Sequence, residues 1–216
     1  METLNEIGLR HKTDKSTMTH HYLGVYEHYL AAWRDKEFTL LEIGVASGSS
    51  LKMWREYFPK AKIVGIDINP DCAGYCEPPI EVFIGSQTDA GFLDSVLAKI
   101  GVPDVIISDG SHVGDEEVLT FKHLFPKLTP NGFYFLEDTH TLYNNHYSGS
   151  FESNGRTKAY NFFTDLVYHT DVAGRGMCGC AEFCINHPST EPPVPEFSRI
   201  LDSMHIHPSL WLFKRK

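Results

Sequence analysis

Short apolar runs alternate with amphipathic helical stretches along most of this chain, and that alternation constrains the fold more than any other feature. FTLLEIG (38–44), KIVGIDI (62–68), IEVFIGS (80–86), PDVIISDG (103–110) and NGFYFLED (131–138) have strand length. Their near-continuous apolar character marks strands covered on both faces. SSLKMWREYF (49–58) places Leu51, Trp54, Tyr57 and Phe58 on one helical face. AGFLDSVLAKIG (90–101) reads as a helix with glycine just past its end, and EVLTFKHLFPKL (117–128) as a helix whose end Pro126 distorts. Repeated strand–helix–strand units predict a parallel sheet. FSRILDSMHIHPSLWLFKRK instead reads as two strands around His207-Pro208, a hairpin and not a crossover. The expected fold class is therefore α/β: a doubly wound, mostly parallel seven-stranded sheet ending in an antiparallel hairpin.

Residues 1–35 are read as an N-terminal helical arm or lid and 36–216 as the main domain. TKAYNFFTDLVYHT (157–170) looks helical, and CGCAEFCINHPSTEPPVPEF looks like a strand followed by a proline-rich loop. Thr13, Asp14, Lys15, His20 and Tyr22 form a polar, helix-poor stretch that fits a solvated arm or a lid; the aromatic-rich residues Tyr22, Tyr26, His28 and Tyr29 favour the lid. NNHYSGSFESNGR (144–156) is a polar loop after the fifth strand run. It is expected to cover an acceptor or to be a surface loop.

The 216 residues carry a net charge of −9 with 42% hydrophobic content. An acidic surface does not steer toward nucleic acid or an anionic membrane, so neither is an expected partner. No apolar run approaches membrane-span length, and METLNEIGLRHKTDK has no signal-peptide core, so the expected compartment is the cytosol. Five cysteines without a signal suggest free thiols. Cys178, Cys180, Cys184 and His187 offer zinc-type ligands. The spacing is not a pair of zinc knuckles, and strand alternation would put the thiols on one face, so packing is expected.

In a doubly wound sheet, ligands bind outside the carboxyl ends of the strands. The first strand run ends Glu42-Ile43-Gly44-Val45-Ala46-Ser47-Gly48, small residues that let a ligand approach ahead of a helix N-terminus. This is not the dinucleotide fingerprint, because its second glycine is replaced by Ala46. Asp67 ends the second run, 19 residues after Gly48, where an acid can hold the two hydroxyls of a ribose. NAD and S-adenosylmethionine both satisfy it. Gln87 and Asp89 follow the third run and could flank an adenine, although Asp89 also stands where a helix N-cap would stand. Asp109 and His112 end the fourth run in SDGSH, and Glu137 and Asp138 end the fifth in FLEDTH, with His140 just beyond.

The ordered set LEIGVASGSS, GID and the terminal hairpin resembles class I S-adenosylmethionine-dependent methyltransferases over roughly residues 36–138 plus the hairpin. Adding HKTDKSTMTHHYLGVYEHYL (11–30), GSQTD, SDGSH and FLEDTHT, the order is similar to the metal-dependent sugar O-methyltransferases of macrolide biosynthesis, a group that includes sequences labelled cephalosporin hydroxylases. The resemblance implies methyl transfer from S-adenosylmethionine to a hydroxyl of a sugar or small polyhydroxylated acceptor, assisted by magnesium or another divalent cation. It implies Asp109, Glu137 and Asp138 as metal ligands and His112, with Asp109, as the catalytic pair. It implies Glu42, Gly44, Ser47, Gly48, Asp67, Gln87, Asp89 and Asp109 around the cofactor. Ser108 stands where the group often has a second acid. The resemblance does not extend to the additional N-terminal domain of the longer macrolide enzymes, so it implies no particular acceptor. It leaves a homo-oligomer open. A nicotinamide-dependent oxidoreductase and a catalytically silent cofactor-binding protein are the rival readings.

Overall fold

A computed structural model describes residues 2–174 and 199–216. Residues 175–198, which hold Cys178, Cys180, Cys184 and His187 and all of the expected strand and proline-rich loop, lie outside the described residues. Among the described residues, no helix is long and apolar enough to cross a membrane.

The strands are β1 (Thr39–Ile43), β2 (Lys62–Asp67), β3 (Glu81–Ile84), β4 (Val105–Ser108), β5 (Phe133–Glu137), β6 (Leu201–His207) and β7 (Leu210–Arg215). They form one sheet in the order β3-β2-β1-β4-β5-β7-β6. β1 to β5 pair in parallel, and β7 runs antiparallel between β5 and β6. The expected doubly wound sheet with a terminal hairpin is therefore present. Its strand order reverses at β1 and β4, which opens a crevice beyond their carboxyl ends.

The helices are α1 (Leu4–His11), α2 (Leu23–Leu30), α3 (Ser49–Tyr57), α4 (Ala90–Ile100), α5 (Gly114–Leu124), the single-turn α6 (Asn145–Ser148) and α7 (Lys158–Gly174). α5 starts before the expected residue 117, because Asp115, Glu116 and Glu117 fill its first turn, where carboxylates meet the positive end of the helix dipole. The stretch 144–156 contains α6, and its Phe151 bridges to Thr157 just beyond it.

Alternate strand residues feed two cores. On one face Leu40, Ile63, Val105, Ile107 and Phe135 pack with Trp54 and Tyr57 of α3. On the other face Leu41, Ile43, Val64, Ile106 and Leu136 pack with α4, α5 and α7 through Leu93, Phe121 and Phe163. The N-terminal segment joins the first core: Leu4, Ile7, Tyr22, Leu23, Tyr26 and Leu30 are all buried there. Thr13, Lys15 and Ser16 are buried as well, so this polar stretch is not a solvated arm.

Candidate active site

Sheet register builds the site. Ile43 of β1 pairs with Ser108 of β4, and Ser108 pairs with Leu136 of β5. The next residue on each strand is therefore Gly44, Asp109 or Glu137, side by side at the carboxyl edge. Side chains alternate along a strand, so Glu42, Asp109 and Glu137 project to the face that carries Leu40, Ile107 and Phe135. Three carboxylates thus stand on one face of three adjacent strands, under the N-terminal segment.

Lys15 meets them. Its ammonium lies 2.9 Å from Glu137 Oε2 and 3.4 Å from Glu42 Oε1, and it donates to Asp109 Oδ2. Burial works against the Lys15 charge, but Asp109, Glu137 and Glu42 override it and hold the amine well above its ordinary value. The remaining acceptors of the buried glutamates are almost all met. The Tyr26 hydroxyl donates to Glu137 Oε1 at 2.5 Å, and Trp54 Nε1 donates to Glu42 Oε2 at 2.7 Å. Burial, reinforced by the Asp109 charge, pushes Glu137 well above its ordinary value, with Lys15 opposing. Burial likewise raises Glu42.

A second cluster sits outside this row. His112 Nε2 is 3.8 Å from Asp109 Oδ1 and 3.6 Å from Asp138 Oδ2. Asp109, His112 and Asp138 each present a ligand-type atom within 4.8 Å of the others, and all three are partly buried. His112 (φ 56) and Asp138 (φ 52) both adopt left-handed backbone, a strained conformation for side chains of this size that clusters at functional sites. Tyr22 donates to Asp138 Oδ1 at 2.7 Å, and His20 Nδ1 lies 3.9 Å from the same oxygen. His112 does not cap α5; Val113 holds that position, without a side-chain cap.

The expected ligand Glu137 is not in the outer cluster. Its two oxygens are committed to Tyr26 and Lys15, and it is 3% exposed. Ser108 points to the other face, where its hydroxyl donates to buried Glu117 at 2.6 Å. His140 is exposed and bonds Ser209.

A cleft opens beside Asp109. Ile43, Gly44, Ile66, Asp67, Ile68, Gly85, Ser86, Gln87 and Gly110 line one part, and Thr13, Asp14, Val45, Ser47 and Ser49 line an adjoining part. Gly44 has φ +94, and a Cβ there would sit 1.9 Å from the Asp109 carbonyl oxygen; only glycine permits this crossing. Ala46 takes φ 45 without being glycine. Its N–H and that of Val45 donate to Asp67 Oδ2 at 3.1 and 2.8 Å, and Asn69 N donates to Oδ1 at 2.8 Å. Asp67 thereby ties the loop to β2 while facing the cleft.

Other expected cofactor residues have local partners. The Asp89 side chain accepts from Phe92 N at 3.0 Å, capping α4. Gln87 is 8% exposed; its amide donates to Glu117 and Thr120 and its oxygen accepts from Ser111 N. Glu42 is fully buried under the loop. Ser47 and Gly48 lie on the loop entering α3, where Gly48 takes φ 74. Ile68 was not anticipated: it is 72% exposed at the rim of the cleft, directly after Asp67. An exposed isoleucine following the candidate ribose acid was the available signal.

No family model matches the chain. It is 31% identical, over 97% of its own length and 54% of the relative's, to the 8-demethyl-8-alpha-L-rhamnosyl tetracenomycin-C 2'-O-methyltransferase of Streptomyces olivaceus. Over 68% of its length and 39% of the relative's, it is 40% identical to the 8-demethyl-8-(2-methoxy-alpha-L-rhamnosyl)-tetracenomycin-C 3'-O-methyltransferase of the same organism. Among solved structures, the MycE methyltransferase from the mycinamycin biosynthetic pathway, in complex with Mg and SAH, matches with a TM-score of 0.85. The identity is 26%, over 99% of this chain and 53% of that one. The chain therefore spans about half the length, or less, of the relatives it matches.

Proposed function

The chain is a homologue of these sugar O-methyltransferases and has the class I methyltransferase fold, and on that premise we propose that it transfers a methyl group from S-adenosylmethionine to a hydroxyl of a sugar or small polyhydroxylated acceptor, assisted by a divalent cation. The observation that carries this reading is the convergence of Asp109, His112 and Asp138 next to the cleft that Asp67 borders.

The residues fit both groups. Asp67 keeps carboxylate lone pairs beyond those used by the loop amides, suited to ribose hydroxyls, and Ile68 offers an apolar surface for a planar base. Gly44 and its neighbours let the methionine part lie close to the backbone. Asp109 and Asp138 supply the hard oxygen donors that magnesium prefers. A cation bound there would lower the pKa of an acceptor oxygen and orient it. Nitrogen is a poor magnesium ligand, so His112 is assigned as the base: positioned by the two carboxylates, it accepts the hydroxyl proton at Nε2. The Asp109 carboxylate and the Tyr22 hydroxyl, through Asp138, hold this corner in place. Transfer is a direct displacement, and no side chain of the protein forms a covalent bond to the methyl group.

Calorimetry with S-adenosylmethionine and with NAD, followed by transfer of labelled methyl to a panel of glycosylated polyketides with and without chelator, tests the proposal. Chelator-sensitive labelling is the expected result. Preferential NAD binding would make the protein an oxidoreductase, and cofactor binding with no labelled acceptor would make it a binding protein.

A further inference from the structure

Asp115, Glu116 and Glu117 fill the first turn of α5, and of these only Glu117 is buried, at 2% exposure. Burial pushes its carboxyl up, opposed first by the hydrogen bonds from Ser108 and Gln87. A carboxyl held inside by neutral donors costs stability, and an apolar residue of the same volume would serve packing as well. Its partners show a different use. The Ser108 hydroxyl donates to Oε2 at 2.6 Å, and the Gln87 amide donates to Oε1 at 3.2 Å. Thr120, one turn further along α5, holds Gln87 too: its hydroxyl accepts from the Gln87 amide at 3.1 Å and donates to the Gln87 carbonyl at 3.2 Å. With its nitrogen fixed, the Gln87 side chain aims its oxygen at the SDGSH turn, where Ser111 N donates to it at 2.9 Å. A Cβ at Gly110 would collide with that oxygen, so amide and turn are in direct contact. Ser111 Oγ in turn accepts from Val113 N at 3.3 Å. The residues on either side of His112 are thus both tied down, around a left-handed φ of 56°. Such strain persists only where its surroundings hold it.

We propose that Glu117 is a positioning residue: from inside α5 it fixes the SDGSH turn at both ends, Ser108 directly and Ser111 through Gln87, and so sets where His112 stands between Asp109 and Asp138. This rests on reading His112 as the base. A glutamine amide can turn over, exchanging oxygen for nitrogen with almost no change of shape. Glu117 accepts at both of its oxygens, which admits one orientation: nitrogen toward α5, oxygen toward Ser111. Gln87 also lines the cleft, so the same amide connects the cofactor side of the site to the proton-accepting side.

The test compares wild type with Glu117→Met, Glu117→Gln, Gln87→Leu and Glu117→Met/Gln87→Leu. Each is followed by thermal melting, by amide hydrogen exchange in NMR, and by kcat for transfer of labelled methyl to a glycosylated polyketide that wild type labels. Glu117→Met should melt at or above the wild-type temperature, because an apolar side chain suits the buried position. Its Ser111 amide should nonetheless exchange about tenfold faster relative to Ile106 and Ile107 of β4, the equivalent of one lost hydrogen bond. Its kcat should fall by about 10–10²-fold, the order expected when a reacting group is displaced. Gln87→Leu should show the same faster exchange, and the double variant should exchange no faster than Gln87→Leu, because Glu117 acts on Ser111 through Gln87. Glu117→Gln, which keeps an oxygen for Gln87, should stay near wild type in exchange and kcat. Wild-type Ser111 exchange in Glu117→Met, additive exchange in the double variant, or wild-type kcat despite faster exchange overturns this role. So do equal losses in Glu117→Gln and Glu117→Met, and so does a lower melting temperature with uniformly faster exchange, which would make Glu117 a stability residue. If Glu117→Met fails to fold, the other two single variants decide: faster Ser111 exchange and lower kcat in Gln87→Leu with wild-type behaviour in Glu117→Gln support the role, and any other pairing overturns it. If wild type methylates no acceptor, the proposed activity falls, and Ser111 exchange alone decides whether Glu117 holds the turn.

Discussion

Asp138 Oδ2 lies 3.6 Å from His112 Nε2, although helix α5 and strand β5 separate the two residues in the chain. The parallel pairing of β4 with β5 makes them neighbours, and left-handed backbone at both turns the side chains toward each other. An imidazole held between two carboxylates is poised to accept a proton, and the carboxylates are poised to hold a cation.

These two roles separate in variants. His112→Ala should lower kcat by about 10²–10⁴-fold, the usual loss for a general base, while Mn²⁺ affinity stays near that of wild type. Asp109→Asn should lower both. Steady-state kinetics combined with Mn²⁺ titration checks this; a large loss of Mn²⁺ affinity in His112→Ala would make His112 a ligand.

Tyr26→Phe removes the donor to Glu137 Oε1 and leaves a buried carboxylate oxygen unpaired. Such a loss costs about 1–3 kcal/mol. Urea denaturation should show a lower midpoint with an unchanged slope. An unaltered midpoint would mean that Glu137 does not depend on the hydroxyl.

Gly44→Ala combines a left-handed φ with a Cβ driven into the Asp109 carbonyl. Backbone strain alone costs about 1–3 kcal/mol. Thermal melting should fall and cofactor affinity should weaken together, because the loop and the Asp109 backbone move as one. Wild-type binding by Gly44→Ala would rule out close loop packing as a requirement of the cleft.

Ile68→Ser replaces an exposed apolar side chain and should leave the melting temperature unchanged. Cofactor affinity should drop by about tenfold, the order expected for losing an isoleucine contact on binding. Isothermal titration with S-adenosylhomocysteine measures it.

Asp67 has a defined pH signature. Burial works to raise its pKa, but the N–H groups of Asn69, Val45 and Ala46 hold the carboxyl below its ordinary 3.8. The folded state therefore favours the carboxylate. Its stabilisation is fully present above the ordinary value and is lost as pH falls through the lower folded value. Wild type should be more stable than Asp67→Asn near neutral pH, and the two should converge as pH falls from neutral to below 3.8. A constant offset across that range would remove the ionised carboxyl as the cause.

The legible part of the site was its strand ends. Asp67, Asp109, Glu137 and Asp138 could be placed from sequence, because apolar runs terminate at them and parallel strands bring their ends to one edge. Lys15 was not legible as a buried residue. Its neighbours Thr13, Asp14 and Ser16 are polar, and a lysine in such a stretch reads as solvated unless the acids that surround it in space are known. Gln87 and Asp89 were read toward the cofactor; their side-chain hydrogen bonds serve α5 and α4, and Gln87 also lines the cleft. Short polar side chains after a strand carry the same pattern in either role.

Hydrophobic periodicity is local, so the sequence by itself determined the strands, the helices, the parallel sheet with its terminal hairpin and the edge where chemistry would gather. Only the tertiary structure decided which acids stay open and which are neutralised. That choice depends on side-chain parity across three strands and on a lysine 94 residues from Asp109 and 122 from Glu137. Burial and charge pairing are properties of the assembled chain, because a buried carboxylate must find its cation wherever the fold delivers one.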